Sequence, residues 1–282
     1  MNGIDNTSDR TPLANESTGR HLSYSSRARL CARTLAGLRR HLTIATVLLV
    51  GTSCQINLYT PEEDVQMGIE YYGQILAEES IITSGPDVRM VNRIMDRLVE
   101  AAASEKPELV ALFEWEVQLL DNDEMVNAFC LPGGKMAVYT GILPVAGGET
   151  GLAVVMGHEI AHALERHGTE AVSRETFTSG GIEILVGEDY RSMATMGANL
   201  LVGLPFGRDA ELEADRSGLR YMARAGYDPR EAAQFWTRMS SGGGDGSPEW
   251  LSTHPTGEHR IEQIESLLPE AMELYEASRG LR

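Results

Sequence analysis

The stretch VVMGHEIAHALERHG, residues 154–168, decides the fold. It places His158 and His162 four positions apart, with Glu159 directly after the first histidine. On an α-helix each residue advances about 100°, so the two imidazoles share one face and can reach one metal ion. Two surface histidines on an amphipathic helix are the alternative, but the surrounding run is apolar, where unpaired polar side chains are costly to bury. The stretch therefore predicts a metal site on a buried helix.

Zinc, one ion per chain, is the metal that this spacing favours. A hydrolytic zinc site has three protein ligands and an open position for water, whose pKa the ion brings to about 7. Glu159 lies beside the face of the two histidines and can reach such a water without binding the metal, as a general base does. The motif thus supplies two of three ligands.

The nearest further histidine does not complete this ligand set. His167 lies five residues after His162 and would point about 140° away from it on a continuous helix, so it cannot join the metal unless the helix breaks. A metzincin site would need Gly at 165 and His at 168, where the chain has Glu165 and Gly168. The third ligand must therefore come from another element.

The acid-rich stretch DAELEADRSG, residues 209–218, is the better source. Glu211 and Asp215 are four apart and share a helix face, whereas Glu213 should point away. One carboxylate of the pair can bind zinc while the other holds a ligand histidine by its second nitrogen. The alternative is a solvated face, since acidic residues favour the first turn of a helix.

The remaining pattern predicts an α+β fold that is mainly helical. In FEWEVQLL, residues 113–120, apolar and polar residues alternate as in a half-exposed strand, and VNAFCL and KMAVYT follow as strands around the turn PGG. We expect these strands to form a small antiparallel sheet next to the histidine helix. Helices are predicted over residues 60–79, Asp87–Ala103, Glu149–His167, Arg208–Ala225, Pro229–Met239 and Glu258–Leu268.

The N-terminal residues have the features of a targeting segment. The apolar run from Leu42 to Cys54 follows an arginine-rich stretch and is too short to cross a bilayer, but it suits the core of a secretory signal. Small residues before Cys54 resemble a lipobox, in which the cysteine becomes acylated. We therefore expect a signal at residues 1–53, a linker at 54–60 and one catalytic domain at 61–282. An organellar transit peptide and a disordered tail are the alternatives.

The charge of the expected mature chain limits its partners. From Cys54 onward there are 38 acidic and 17 basic residues, a formal balance of −21. Such a surface repels nucleic acid and anionic lipid, so we expect no nucleic acid partner and membrane attachment through acyl chains at Cys54. The expected location is the periplasmic side of a bacterial membrane, as an outer-membrane lipoprotein, with an organelle as the alternative.

Four ordered motifs carry a resemblance to a known family. HEIAH, ELEAD, AGYDP at 225–229 and STHPTGEHR at 252–260 resemble the gluzincin metallopeptidases that include the CaaX prenyl protease, HtpX and the Oma-type peptidases. The bacterial BepA- and LoiP-like periplasmic members are closest in kind. The resemblance covers about residues 60–268 and implies a zincin-like domain. It also implies roles for five residues: zinc ligation by His158, His162 and Glu211, general base catalysis by Glu159, and orientation of a ligand by Asp215.

The same resemblance implies roles for two residues near the C-terminus and for a substrate-binding strand. His254 matches a histidine that approaches the metal and fills its open position in a resting state, and Arg260 matches a basic residue that could stabilise the oxyanion. NAFCLPGGKMAVYTGIL, residues 127–143, resembles the edge strand of the family, along which a substrate would add as an extended strand. The candidate substrate-binding residues are Asn127, Ala128, Phe129, Gly133 and Gly134.

Together these features predict a zinc metalloendopeptidase that cleaves unfolded or misassembled envelope proteins, because strand addition recognises backbone more than side chains. The Gly-rich segment 176–207 is a candidate gate of the cleft. The alternative function is a chaperone-like assembly factor of the cell envelope, with proteolysis held off by His254 on the metal.

Overall fold

A computed structural model of the chain describes residues 57–178, 205–241, 249–254 and 259–280. This part contains ten helices and four short strands, and it confirms the expected α+β, mainly helical class. The helices are α1 Pro61–Glu78, α2 Pro86–Ala102, α3 Pro107–Leu112, α4 Ile142–Ala146, α5 Glu149–Leu164, α6 His167–Thr178, α7 Arg208–Arg224, α8 Glu231–Ser241, α9 Glu249–Thr253 and α10 Arg260–Gly280. The strands are β1 Ile81–Ile82, β2 Glu116–Leu120, β3 Ala128–Cys130 and β4 Lys135–Tyr139.

The predicted signal, the predicted lipidation at Cys54 and most of the proposed gate lie outside the described residues.

The four strands form one mixed sheet in the order β1-β2-β4-β3. Strand β4 pairs antiparallel with β3 but parallel with β2, so the expectation of a wholly antiparallel sheet was wrong in that one pairing. The reason is that β4 enters between β2 and β3 instead of adding beyond β3, and all five of its residues are buried. Strand β3 is left as the edge of the sheet.

Helix α5 runs through the centre of the protein. Every residue from Gly151 to Leu164 is buried, because the helix packs against α2, α7 and β3. Helix α7 approaches it most closely where Gly157 and Gly218 meet: a Cβ atom on Gly218 would lie 3.0 Å from the carbonyl carbon of Gly157. This close approach brings the histidine motif and the acidic stretch of α7 side by side.

The predicted helix over residues 149–167 breaks before its end. Helix α5 stops at Leu164, and Arg166 adopts a left-handed φ of 62° before α6 begins at His167. The guanidinium of Arg166 is held there by Asp64, with Nε 2.5 Å from Oδ2 and Nη2 3.1 Å from Oδ1. A contact from 102 residues away thus holds the residue at the break, and Gly168 lies inside α6.

The segment before α1 lies across α6. Asn57 Nδ2 donates to Thr169 Oγ1 at 2.8 Å, the amide of Leu58 donates to Ser173 Oγ at 3.0 Å, and Arg166 Nη2 donates to the carbonyl of Tyr59 at 2.6 Å. Helix α1 then begins with a capping box, in which the Thr60 hydroxyl and the Glu63 carboxylate each accept a hydrogen bond from the other residue's backbone amide.

The C-terminal helices differ from the prediction in length and number. Helix α10 continues through Pro269 to Gly280, although proline removes a helical hydrogen bond, because Ala271, Leu274 and Tyr275 still pack on the core. Of the helices in the described residues, the short α3, α4 and α9, and α6 after the break, were not predicted. Among the described residues we find no helix long and apolar enough to cross a membrane.

Candidate metal centre

Four buried side chains from three parts of the chain direct donor atoms at one point. They are His158 and His162 on α5, Glu211 on α7 and His254 just after α9, with one potential ligand atom of each lying within 4.8 Å of the others. His158 Nε2 is 3.0 Å from His162 Nε2 and 3.2 Å from Nδ1 of His254. Glu211 Oε1 is 3.0 Å from Nδ1 of His254 and 3.3 Å from His162 Nε2. The structure therefore joins the two predicted histidines to the predicted carboxylate and to His254.

The spacing and chemistry of these donors fit a zinc ion. Ligands about 2.0–2.1 Å from a tetrahedral zinc lie about 3.3 Å from each other, which is the range seen here. Burial, with the adjacent His158, holds the pKa of His162 well below its usual value, so its ring is neutral and has a lone pair for a metal. Burial raises the pKa of Glu211, but hydrogen bonds with His162 and His254 outweigh it and hold that pKa below the ordinary range. If both rings carry their proton on Nδ1, the two Nε2 lone pairs face each other across 3.0 Å and would repel without a cation between them.

Asp215 and Arg260 support the ligands from α7 and α10. Asp215 Oδ1 lies 3.0 Å from His158 Nδ1, a close contact that misses the angle of a hydrogen bond. Arg260 donates through Nε and Nη2 to Asp215 at 3.0 and 2.8 Å, and through Nη1 to Glu211 at 2.5 Å. Burial raises the pKa of Asp215, but Arg260 and His158 outweigh it and keep the carboxyl ionised. Asp215 thus lies where the resemblance implies, against a ligand histidine.

The carboxylate of Glu159 is held by groups from three other elements. Trp250 Nε1 donates to Glu159 Oε1 at 2.8 Å, Nε2 of His254 lies 3.3 Å from the same oxygen, and the backbone amide of Cys130 lies close enough to the carboxylate to lower its pKa. Burial raises the pKa of Glu159 to about 7, against the lowering effects of His158 and Trp250. A carboxyl with that pKa can both take up and release a proton near neutral pH.

Helix α9 links the ligand cluster to the edge strand. It carries Trp250, and His254 follows it directly, so one short element contacts both Glu159 and the metal donors. Its Trp250 amide donates to the carbonyl of Val126 at 3.3 Å, two residues before β3. Trp250 is fully buried and stacks on Trp236 with ring centroids 5.1 Å apart.

The predicted substrate-binding residues occupy different environments. Ala128 lies on the outer edge of the sheet, and its backbone N–H donates to Oδ1 of Asn127 at 2.9 Å. Phe129 packs on Tyr139 in the smaller core cluster. Gly133 and Gly134 have φ of 79° and 93°, and Cβ atoms there would lie 2.5 Å from Val65 and 2.9 Å from Trp115. These last three residues therefore have packing contacts that account for their presence.

Three residues at the site were not predicted to have a role there. Trp250 contacts Glu159, and the Phe206 ring stacks on the His162 ring with centroids 4.1 Å apart. His167 approaches Nδ1 of His162, on the side of the imidazole that faces away from the ligand cluster. No local pattern marks Trp250 or Phe206, since each reaches the site from a loop or short helix distant in sequence. The position of His167 depends on the helix break at Arg166.

Comparison with known proteins places these motifs in context. The family model described as peptidase family M48 matches residues 87–268. The mitochondrial metalloendopeptidase OMA1 of Schizosaccharomyces pombe is 36% identical over 224 residues, which cover 76% of this chain and 63% of that protein. The OMA1 of Saccharomyces cerevisiae is 34% identical over 199 residues, covering 67% of this chain and 58% of that protein.

A bacterial protein is also similar. The beta-barrel assembly-enhancing protease of Escherichia coli is 29% identical over 226 residues, covering 75% of this chain and 45% of that protein. The match to the OMA1 of Arabidopsis thaliana, at 37% identity, covers 33% of that protein. The chain thus spans between a third and two thirds of the length of these relatives.

Proposed function

The chain belongs to peptidase family M48, and we propose that it is a zinc-dependent endopeptidase that cleaves unfolded or misassembled proteins of the cell envelope. The observation that carries this proposal is the buried cluster of His158, His162 and Glu211 beside Glu159. The relatives named as metalloendopeptidases support the same reaction class. Zinc would be held by the two histidines and Glu211, and when bound it supplies a Lewis acid for a peptide carbonyl and for water.

Glu159 would move the proton in this reaction. Its carboxylate accepts a proton from the attacking water and passes it to the leaving amine, so that one group serves both steps. The donors Trp250 and Cys130 orient the carboxylate, and its raised pKa suits transfer in both directions near neutral pH. An oxyanion role for Arg260 stays a prediction, and its hydrogen bonds to Glu211 and Asp215 support a positioning role instead.

The edge strand supports a polypeptide substrate bound as an added strand. Where β3 pairs with β4, the carbonyl of Asn127 accepts from the Tyr139 amide and the amide of Leu131 donates to the Lys135 carbonyl. Because every second residue of an antiparallel strand turns its backbone groups to the other side, those of Ala128 and Cys130 point away from β4. Since the Cys130 amide contacts Glu159, a strand added here would pass directly by the general base. Binding through backbone groups favours extended, unfolded chains over folded ones.

A second candidate function rests on the position of α9. His254 provides a fourth donor to the cluster, and a catalytic zinc site needs an open position. The Trp250 backbone amide also donates to the carbonyl of Val126, which lies on the same outer side of the edge strand as the backbone groups of Ala128 and Cys130. These contacts support the alternative of an envelope assembly factor whose protease activity is latent while α9 occupies the cleft.

The two functions are separated by one substitution in the full chain. We expect the unaltered protein to bind about one zinc per chain and to cleave unfolded casein, with cleavage lost on chelation and restored by zinc. Glu159→Gln should reduce the rate of cleavage at least about 100-fold while zinc stays bound, because the base is lost but the ligands remain. Glu100→Gln, at an exposed position on α2, is the matched control.

Different results identify the function that fails. A protein without zinc, or cleavage that survives Glu159→Gln, contradicts the endopeptidase. If the Glu159→Gln protein fully supports envelope assembly in cells that lack the native copy, the assembly function is favoured. The signal at residues 1–53, the domain at 61–282, the lipid anchor at Cys54 and the outer-membrane location belong to this proposal, and mass spectrometry of membrane fractions tests acylation of Cys54.

A further inference from the structure

His162 has a second contact on the side that faces away from the ligand cluster. Its Nδ1 atom lies 2.9 Å from Nδ1 of His167, and the two rings meet at 71° with centroids 4.9 Å apart. Two neutral ring nitrogens at this distance must share one proton, since two lone pairs or two N–H groups would repel each other. One histidine is therefore the donor and the other the acceptor.

The metal site decides which of the two donates. If His162 binds a metal through Nε2, the proton of its neutral ring is on Nδ1, and His162 is the donor. His167 must then accept at Nδ1 and carry its own proton on Nε2. That Nε2 atom lies 3.4 Å from Glu213 Oε2, so the carboxylate favours the tautomer of His167 that accepts from His162.

The surroundings of His167 suit this neutral, accepting form. Its side chain is 1% exposed, and its two ring nitrogens face His162 and Glu213. The ring reaches this place because the chain turns at Arg166 and starts α6 at His167, instead of continuing α5. The other ligand histidine, His158, has a carboxylate directly at its Nδ1, whereas His162 has a histidine between itself and Glu213.

We propose that His167 is a positioning residue for the metal ligand His162, and that Glu213 selects the tautomer of His167 that this role needs. The inference rests on the zinc site proposed above. An outer partner of this kind fixes the direction of the ligand ring and increases its basicity, so its loss weakens metal binding even though the residue does not touch the metal.

Substitutions at His167 in the full chain test the inference through zinc affinity, measured by competition with a chromophoric chelator. His167→Leu removes the acceptor and should lower affinity by about 10- to 100-fold. His167→Asn carries an amide oxygen on the same Cγ atom that carries Nδ1 in histidine, so it should stay within about threefold of the unaltered protein. The visible spectrum of the Co²⁺-loaded protein should change in the Leu variant and return in the Asn variant, which a loss of packing alone would not produce.

Glu213 provides a second test that keeps His167 in place. Glu213→Leu should lower zinc affinity by a smaller factor, about threefold to tenfold, since its contact is longer and the side chain is 45% exposed. Glu262→Leu is the matched control, because it removes an exposed glutamate–histidine contact of 3.1 Å with His259. This control should leave zinc affinity unchanged.

The outcomes separate the inference from the proposed function. Absence of zinc binding by the unaltered chain would overturn both. Normal zinc binding by the unaltered chain and by His167→Leu would overturn the inference alone, as would equal losses in the Leu and Asn variants. If His167→Leu does not fold, an effect of Glu213→Leu no larger than that of Glu262→Leu overturns the inference.

Discussion

The two sides of the metal centre are attached to the protein in different ways. His158, His162 and Glu211 lie on α5 and α7, long helices whose backbones touch at Gly157 and Gly218; we call this the paired-helix side. His254 and Trp250 belong to α9 and the residue after it, the α9 side, which has five helical residues. The α9 side contacts the rest of the site through Trp250, His254 and two backbone hydrogen bonds, to Val126 and Phe206.

This difference shows how a metal site can have firmly held ligands on one side and a donor that can be displaced on the other. The paired-helix side holds three donors in a packed core, where little can move without unpacking. The α9 side brings the fourth donor on a helix of five residues, which is held mainly by the buried Trp250 and His254. A short segment of this kind opens at a lower free-energy cost than two long packed helices. We therefore expect substitutions on the two sides to have opposite effects on activity.

Removal of one donor from each side should give the largest contrast. Glu211→Gln replaces a ligand of the paired-helix side and should lower zinc affinity by more than about 100-fold, beyond the cost of losing an outer partner, and abolish cleavage. His254→Ala leaves three ligands and an open position, so zinc should stay bound and casein cleavage should increase. Equal loss of zinc in both variants would show that the two sides do not differ.

Crowding of the helix contact should have the next largest effect. Gly218→Ala places a Cβ 3.0 Å from the backbone of Gly157 and His158, and overpacking of this kind costs about 1–3 kcal/mol in the free energy of unfolding. Because α7 must shift, zinc affinity should fall as well. Gly73→Ala is the control: it lies exposed on α1 with nothing within 4 Å, and should stabilise by up to about 1 kcal/mol. Denaturant unfolding and zinc competition measure both effects.

A similar effect on the free energy of unfolding, but without a shift of α7, is expected when Trp250 loses its hydrogen bond. Trp250→Phe keeps an aromatic ring but removes the donor to the Glu159 carboxylate, and a hydrogen bond to a charged group contributes about 1.5–3 kcal/mol at most. Trp115→Phe removes a donor to the neutral carbonyl of Val110 at 3.0 Å, worth about 1 kcal/mol. Urea unfolding should rank the two variants in this order, and the reverse order would contradict the role of Trp250.

The smallest effect is expected at the exposed start of α5. Glu149 accepts from Arg93 at 3.0 and 2.6 Å, and these hydrogen bonds hold the pKa of its carboxyl below the ordinary value, against the raising effect of burial. Arg93 is 49% exposed, so solvent screening limits the contribution to less than about 1 kcal/mol.

This last prediction has a defined pH dependence. Because the folded-state pKa is lowered, the contribution of Glu149 is full above its unfolded value of about 4.3 and is lost as the pH falls through the folded value. The difference in unfolding free energy between the protein and Glu149→Gln should therefore be full at pH 7 and shrink as the pH falls below about 4.3. A difference that persists in acid would assign the effect to packing.

The paired-helix side could be predicted from sequence, and the α9 side largely could not. His158 and His162 follow from helical spacing and ligand chemistry, which are local properties, and spacing also marks the pair Glu211 and Asp215. The choice of Glu211 from that pair came from the family resemblance, which was confirmed by the match to peptidase family M48. The position of His254 beside the metal donors was implied by the resemblance alone. Trp250 left no pattern, because its partner Glu159 is 91 residues away.

The same distinction explains the errors in the fold. The break after Leu164 depends on the ion pair between Arg166 and Asp64, and the parallel pairing of β2 with β4 depends on where a strand inserts. Neither depends on local periodicity. Zinc itself, the substrate and the lipid anchor at Cys54 remain predictions.

The contacts of Arg166 have a mechanical consequence. Residues 57–60 lie across α6, and Arg166, which follows the C-terminal end of α5, donates a hydrogen bond to the carbonyl of Tyr59. A pull on the chain from its N-terminal side would therefore load the contacts on α6 first and Arg166 with Asp64 next. In a tethered protein, that force would pass to the end of the helix that carries His162.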